Sequence, residues 1–271
     1  MRTVVVTDSS AQPLAPSTAR SVVLVPITIL LADRQIADHR TDPALVHDAI
    51  AGGQPLKTRA PSVIDYLDAI ESTDAQSAVI LTPAAELTAM WRHASHTPWL
   101  ADRPVAVVDS RTAASGQSLV VEAAAAAAAA GNSLSEVAAV ARSAAHRARV
   151  VGAVGSVEPL VASGMVEREQ IVGGADRRAR PMVFEARQGV IEPLRVLDGE
   201  DPATALANLY LRDRGADARA VVFTSGGPAP QVRTVAQRLA QLVGSNRPPQ
   251  ACSAAMTVYT GRDAIGLAWL D

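Results

Sequence analysis

Apolar residues along the chain come in short unbroken runs, each closed by small polar residues. Thr3–Val6 is β-branched and stops at Thr7-Asp8-Ser9-Ser10, Ala78–Leu81 stops at Thr82-Pro83, and Val105–Val108 stops at Asp109-Ser110. Continuous rather than alternating runs predict strands of a parallel sheet buried on both faces. Val22–Leu31 is longer and carries Pro26, whose missing N–H predicts an edge strand or a bulge at that point. Between these runs lie helix signals. Asp42-Pro43 is an N-cap followed by proline at the first helical position, predicting a helix through Ile50 that Gly52-Gly53 ends. Pro61-Ser62 opens a second helix to about Ile70, and further helices are predicted over Thr112–Ala130 and from Ser133 to about Arg147.

Beyond Arg149 the pattern changes. Val150–Val154 predicts a strand, and Gly164, Gly173-Gly174 and Pro181 mark a turn-rich stretch. Met182–Ala186 and Gly189–Val196 predict a hairpin, joined through Arg187-Gln188. Helices over Pro202–Leu211 and Val232–Val243 alternate with strands over Ala220–Thr224 and Ala264–Leu270. The fold class is therefore α/β with two domains. The expected N-terminal domain, residues 1–149, is α/β/α with a mainly parallel sheet; the expected C-terminal domain, 150–271, is α/β with a mixed sheet.

Composition narrows the function classes. Aromatic residues are 3% of the chain against 48% hydrophobic, so the core is aliphatic. With 25 Lys+Arg against 27 Asp+Glu, the chain lacks the basic balance of a general nucleic-acid binder. The longest weakly apolar stretch, Leu119–Ala130, is alanine-rich and interrupted by Glu122, which argues against integral membrane association. The alanine tract reads as a close-packed helix. A single cysteine, Cys252, excludes an internal disulfide framework and a Cys-rich zinc site. A cytoplasmic protein is the expectation.

Candidate chemistry is sparse. His93 and His96 lack a further ligand at metal-binding spacing, so no metal or catalytic set is assigned. There is no GxSxG elbow to make Ser9 or Ser110 a nucleophile. Ser225-Gly226-Gly227 follows a strand and precedes a helix, as an anion nest does, yet a plain strand–turn–helix link is the simpler reading. The collective signal is stronger. In an open α/β sheet the turns Thr7–Ser10, Thr82 and Asp109-Ser110 share one edge, where hydroxyls and N–H groups would suit a carboxylate or phosphate.

Several segments, in order, resemble the DegV family of fatty-acid-binding proteins. Val5-Val6-Thr7-Asp8-Ser9-Ser10 is similar to its TDSS opening, Lys57-Thr58-Arg59-Ala60-Pro61-Ser62 to its KTSQPS segment, and Val108-Asp109-Ser110-Arg111-Thr112-Ala113 to its IDSKTA segment. Tyr259-Thr260-Gly261 with Ala264–Trp269 resembles its HTG ending. The resemblance implies one long-chain fatty acid as ligand, without a cofactor. Its carboxylate would lie at the domain interface and its acyl chain in the second domain, and a fatty acid kinase subunit would be the partner. It implies a carrier, not an enzyme. Carried over residue by residue, it names Thr58, Thr88, the Ala89 backbone N–H, Tyr259 and Thr260 as head-group ligands. Ala89 stands in place of the family's glycine, Tyr259 in place of its histidine, and Met165 near its arginine. Arg180, Arg195 and Arg262 are candidate replacement cations. A small-molecule phosphotransferase or hydrolase on the same sheet edge, and a family member that has lost lipid binding, are the alternatives.

Overall fold

The computed structural model describes residues 2–11, 14–171, 180–215, 219–225 and 230–271. Gly173-Gly174 and Gly226-Gly227 fall outside them.

The N-terminal domain is built on a four-stranded parallel sheet, ordered β2-β1-β6-β7, from Val22–Val25, Thr3–Asp8, Ser77–Thr82 and Val105–Asp109. Successive residues of β1 and β6 serve opposite faces, which is why these runs are apolar throughout. Val5, Val79 and Leu81 pack with Val120, Val121 and Ala124 on the Ala114–Ala129 helix, and the Leu134–Arg147 helix lies beside it on the same face, against Ser77–Thr82 and Val105–Asp109. Val4, Val6, Ala78 and Ile80 pack against Tyr66 and Ile70 of the Val63–Glu71 helix on the other face. Ser62 and Asp65 form a capping box at the start of that helix, and Asp42 caps the Pro43–Ala51 helix through the Ala44 N–H.

Pro26 does more than thin an edge. The run Val22–Leu31 breaks there into β2 of the parallel sheet and β3, Thr28–Leu30, of a separate sheet. β3 is the centre of a three-stranded antiparallel unit, with β4 (Gln35–Ala37) on one side and β5 (Lys57–Arg59) on the other. Thr58, directly opposite Ile29, lies on β5.

The C-terminal domain has a mixed six-stranded sheet, ordered β10-β9-β8-β13-β11-β12: Val190–Val196, Met182–Arg187, Ala148–Val154, Ile265–Leu270, Val221–Thr224 and Gln250–Ala251. Neighbours are antiparallel except for the parallel β11–β12 pair. The β9–β10 hairpin turns through Gln188-Gly189, both at positive φ, one residue later than the sequence pattern places it. One face of the sheet is covered by the Pro202–Asp213 and Pro230–Leu242 helices, which bury Leu206, Leu239 and Trp269. The opposite face is shared. Phe223 and Ala268 meet Ala114 of the alanine-rich helix at one end, and residues 157–171 cover the other.

The alanine-rich helix thus lies between the two sheets. A Cβ at Gly116 would run into Thr112 and into Val150 of β8, so the close approach of the domains needs a glycine there. Arg247 adds a bidentate ion pair across the interface, at 2.9 and 2.7 Å to Glu122.

Candidate functional site

The polar turns do converge on the edge of the parallel sheet, and most of their groups satisfy one another; the buried hydroxyls of Thr82 and Thr112 have no hydrogen-bond partner among the described residues. Thr7 donates to the Leu81 carbonyl at 2.8 Å. Asp8, with no exposed surface, accepts from the Ser10 N–H and hydroxyl and, at 2.9 Å, from the Gln117 amide. No cation pairs with it among the described residues, and burial raises its pKa above the ordinary 3.8. Ser110 donates to the Thr112 carbonyl, and Asp109 accepts from the Arg111 N–H at 2.7 Å. These groups close the edge of the sheet from within.

A second polar set surrounds the Ala254–Thr260 helix, which the apolar pattern does not predict. This helix packs against the Pro43–Ala51 helix, β5 and the Glu158–Ala162 helix. Its first turn meets Asp38, and Thr257 donates to the Ser225 carbonyl at 2.8 Å. The same carbonyl lies 3.2 Å from Nε2 of His47, a side chain only 1% exposed. Burial lowers the His47 pKa below 6.5.

At the end of this helix Tyr259 meets Thr58 of β5, hydroxyl to hydroxyl. Both residues are half-buried. Either hydroxyl can donate, and since only one does, the pair keeps one unused O–H. The Tyr259 ring packs on an apolar cluster of the C-terminal domain that includes Val154, Val157, Leu160, Ile171 and Phe184. Met165 packs on the same cluster.

The remaining candidates lie as follows. Thr88 accepts from the Met90 N–H at 3.3 Å, which leaves its hydroxyl hydrogen free. Ala89 has φ −73°, ordinary helical backbone, so this position needs no glycine. Met90 packs in one cluster with Leu56, Ala60, Ala255 and Val258, which flank Thr58 and Tyr259 in sequence. Thr260 donates to the Met256 carbonyl at 3.0 Å. Arg180 and Arg195 are held in ion pairs with Asp198 and Glu200, and Arg262 is exposed. The residue to which sequence reasoning gave no role is Asp38, the last residue of the segment Val22–Asp38, which also resembles a block of the family.

On the other face of the same sheet, a cavity of about 300 Å³ is lined mainly by Ala153, Leu197, Val232, Val235 and Ile265, with Asp263 at its edge. Among the described residues no cluster of His, Cys, Asp or Glu could hold a metal ion, and no helix is long and apolar enough to cross a membrane.

The fold has solved counterparts. A DegV-family protein of Thermus thermophilus, described by its fatty acid binding, matches with a TM-score of 0.84 at 20% identity, over 100% of both chains. A fatty-acid-binding DegV-family protein of Streptococcus agalactiae gives 0.85 at 17% identity, over 100% of this chain and 99% of the other. A DegV-family protein of Eubacterium eligens, loaded with heptadecanoic acid, gives 0.83 at 16% identity, over 99% of each. No curated protein sequence matches the chain. The model of the DegV family, described as uncharacterised proteins, matches residues 2–271, and the chain belongs to that family.

Proposed function

We propose that the protein is a non-catalytic carrier of one long-chain fatty acid. The carboxylate binds at the Thr58–Tyr259 pair, and the acyl chain enters the apolar cluster under the Tyr259 ring. Residues 1–149 supply Thr58, Thr88 and the Ala89 N–H; residues 150–271 supply Tyr259, Thr260 and the acyl surface. The observation that carries this reading is the double role of Tyr259: its hydroxyl is paired with Thr58 while its ring packs on the cluster around Leu160 and Phe184. An ionised carboxylate placed at the pair accepts from both hydroxyls, which gain an anionic acceptor in place of a neutral one. Each such bond contributes about 1.5–3 kcal/mol. The tail contributes roughly 0.8 kcal/mol for each buried CH₂ before ordering costs. The family and the fatty acids named for its solved members support the ligand class.

With neutral hydroxyls at the pair, the head-group site holds the anion without a base or a nucleophile. The family resemblance implies presentation of the carboxylate to a fatty acid kinase subunit, and the exposed Arg262, whose carbonyl accepts from the Ser225 hydroxyl, is one cation placed for that contact, with Lys57 and Arg59 exposed on either side of Thr58. Native mass spectrometry of the purified protein tests the ligand directly. A mass shift of one fatty acid, removed by delipidation and restored by adding heptadecanoic acid, is expected. A protein that stays at its bare mass throughout contradicts the reading.

A further inference from the structure

The Ala254–Thr260 helix has seven residues, too short to hold itself together in water. Ser253 stands at its N-cap with extended backbone, yet the serine hydroxyl does not cap. The acceptor is borrowed from the other domain: Oδ1 of Asp38 accepts from the Ala255 N–H at 2.8 Å, across 217 positions of sequence. Asp38 is only 3% exposed and is itself fixed. Its other oxygen accepts from the Ser9 hydroxyl at 2.6 Å, its own N–H donates to the Ile27 carbonyl at 2.8 Å, and Ser9 accepts from the Ile27 N–H at 3.0 Å. The carboxylate is therefore tied to the end of β1 and to the turn at Pro26, and it faces the positive end of the helix.

Ala255 and Tyr259 are four residues apart, on one face of the helix and one turn from each other. Fixing the Ala255 N–H sets both the rotation and the height of Tyr259. We propose that Asp38 is a positioning residue for the head-group site: it holds the Ala254–Thr260 helix in the register that brings the Tyr259 hydroxyl to Thr58. This rests on the proposed carboxylate site for its functional meaning, but the geometric claim stands in the ligand-free protein.

The test follows the three tyrosines, Tyr66, Tyr210 and Tyr259, by NMR in protein labelled at tyrosine 13Cζ. Tyr259→Phe assigns the signal, and Thr58→Val gives its position when the hydroxyl contact is lost. Asp38→Ala is expected to move the Tyr259 signal to the Thr58→Val position and leave Tyr210 in place. Asp38→Asn, whose carbonyl still accepts from Ala255 and whose amide can donate to Ser9, is expected to restore the parent position. In binding assays on delipidated protein, Asp38→Ala should weaken heptadecanoic acid about tenfold and leave its methyl ester unchanged. A Tyr259 signal that Asp38→Ala leaves in place overturns the proposal, as does one that moves together with the other two tyrosines. A parent protein that binds no fatty acid refutes the carrier reading alone, because the tyrosine signals still decide the role of Asp38.

Discussion

Two polar regions meet near the domain interface, and they differ in which of their hydroxyls a ligand can reach. At the edge of the parallel sheet, Thr7, Ser9 and Ser10 are at most 3% exposed, and each donates within the protein. Around the Ala254–Thr260 helix, Thr58 and Tyr259 are half-buried, bonded to each other and left with an unused O–H. Both regions read as hydroxyl-rich in sequence. The first is a buried structural knot, whose left-over hydroxyls, Thr82 and Thr112, are at most 1% exposed, and the second is half-buried and suited to a ligand. Convergence on a sheet edge is thus a weaker sign of a binding site than an accessible donor without an acceptor beside an apolar surface.

The largest effect that separates the two regions is on stability. Asp8→Ala leaves the Ser10 N–H buried without its acceptor and removes one partner of Gln117. Stability to urea should fall by about 2–3 kcal/mol, with fatty acid affinity of the folded protein unchanged. An affinity loss matching that of a head-group variant would place the ligand at the sheet edge instead. The second effect is the mirror image. Thr58→Val and Tyr259→Phe should each change stability by less than about 1 kcal/mol and weaken fatty acid binding by about 1–3 kcal/mol, less than additively because both serve one carboxylate.

The smallest effect is on pH dependence. With the folded-state pKa of His47 below 6.5, the unfolded chain takes up a proton that the folded chain refuses. Stability is full above pH 6.5 and falls as the pH drops from there through the lowered value. The buried carboxylates act with the opposite sign. Asp8 and Asp38 have folded pKa values raised above 3.8, so their contribution is greatest below pH 3.8 and declines as the pH rises through the raised values. His47→Gln should therefore flatten the fall in Tm between pH 7 and pH 5. An unchanged fall would assign it to other groups.

How much of this was legible in the sequence depends on the range of the forces involved. The parallel strands were plain because burial on both faces leaves unbroken apolar runs, and the capped helices were plain because Asp42-Pro43 and Ser62 act locally. Pro26 marked a break, but not that the chain changes sheets there. The Ala254–Thr260 helix was hidden: it is too short for a periodic signal, and its cap is an aspartate 217 positions away. For the site, family-like segments pointed to both Thr58 and Tyr259, and only the fold brings their hydroxyls together. The positions of Thr88 and Ala89 follow from local helix geometry, whereas the role of Asp38 is set by tertiary structure.

The central claim is that the Thr58–Tyr259 pair recognises a carboxylate at the mouth of an apolar cluster. Titration calorimetry of delipidated protein with heptadecanoic acid and with its methyl ester tests it most directly, in the parent and in Thr58→Val. The account predicts that the parent prefers the acid and that Thr58→Val loses much of that preference while its affinity for the ester is retained. Equal affinity for acid and ester in the parent, or a preference for the acid that Thr58→Val leaves intact, would contradict it.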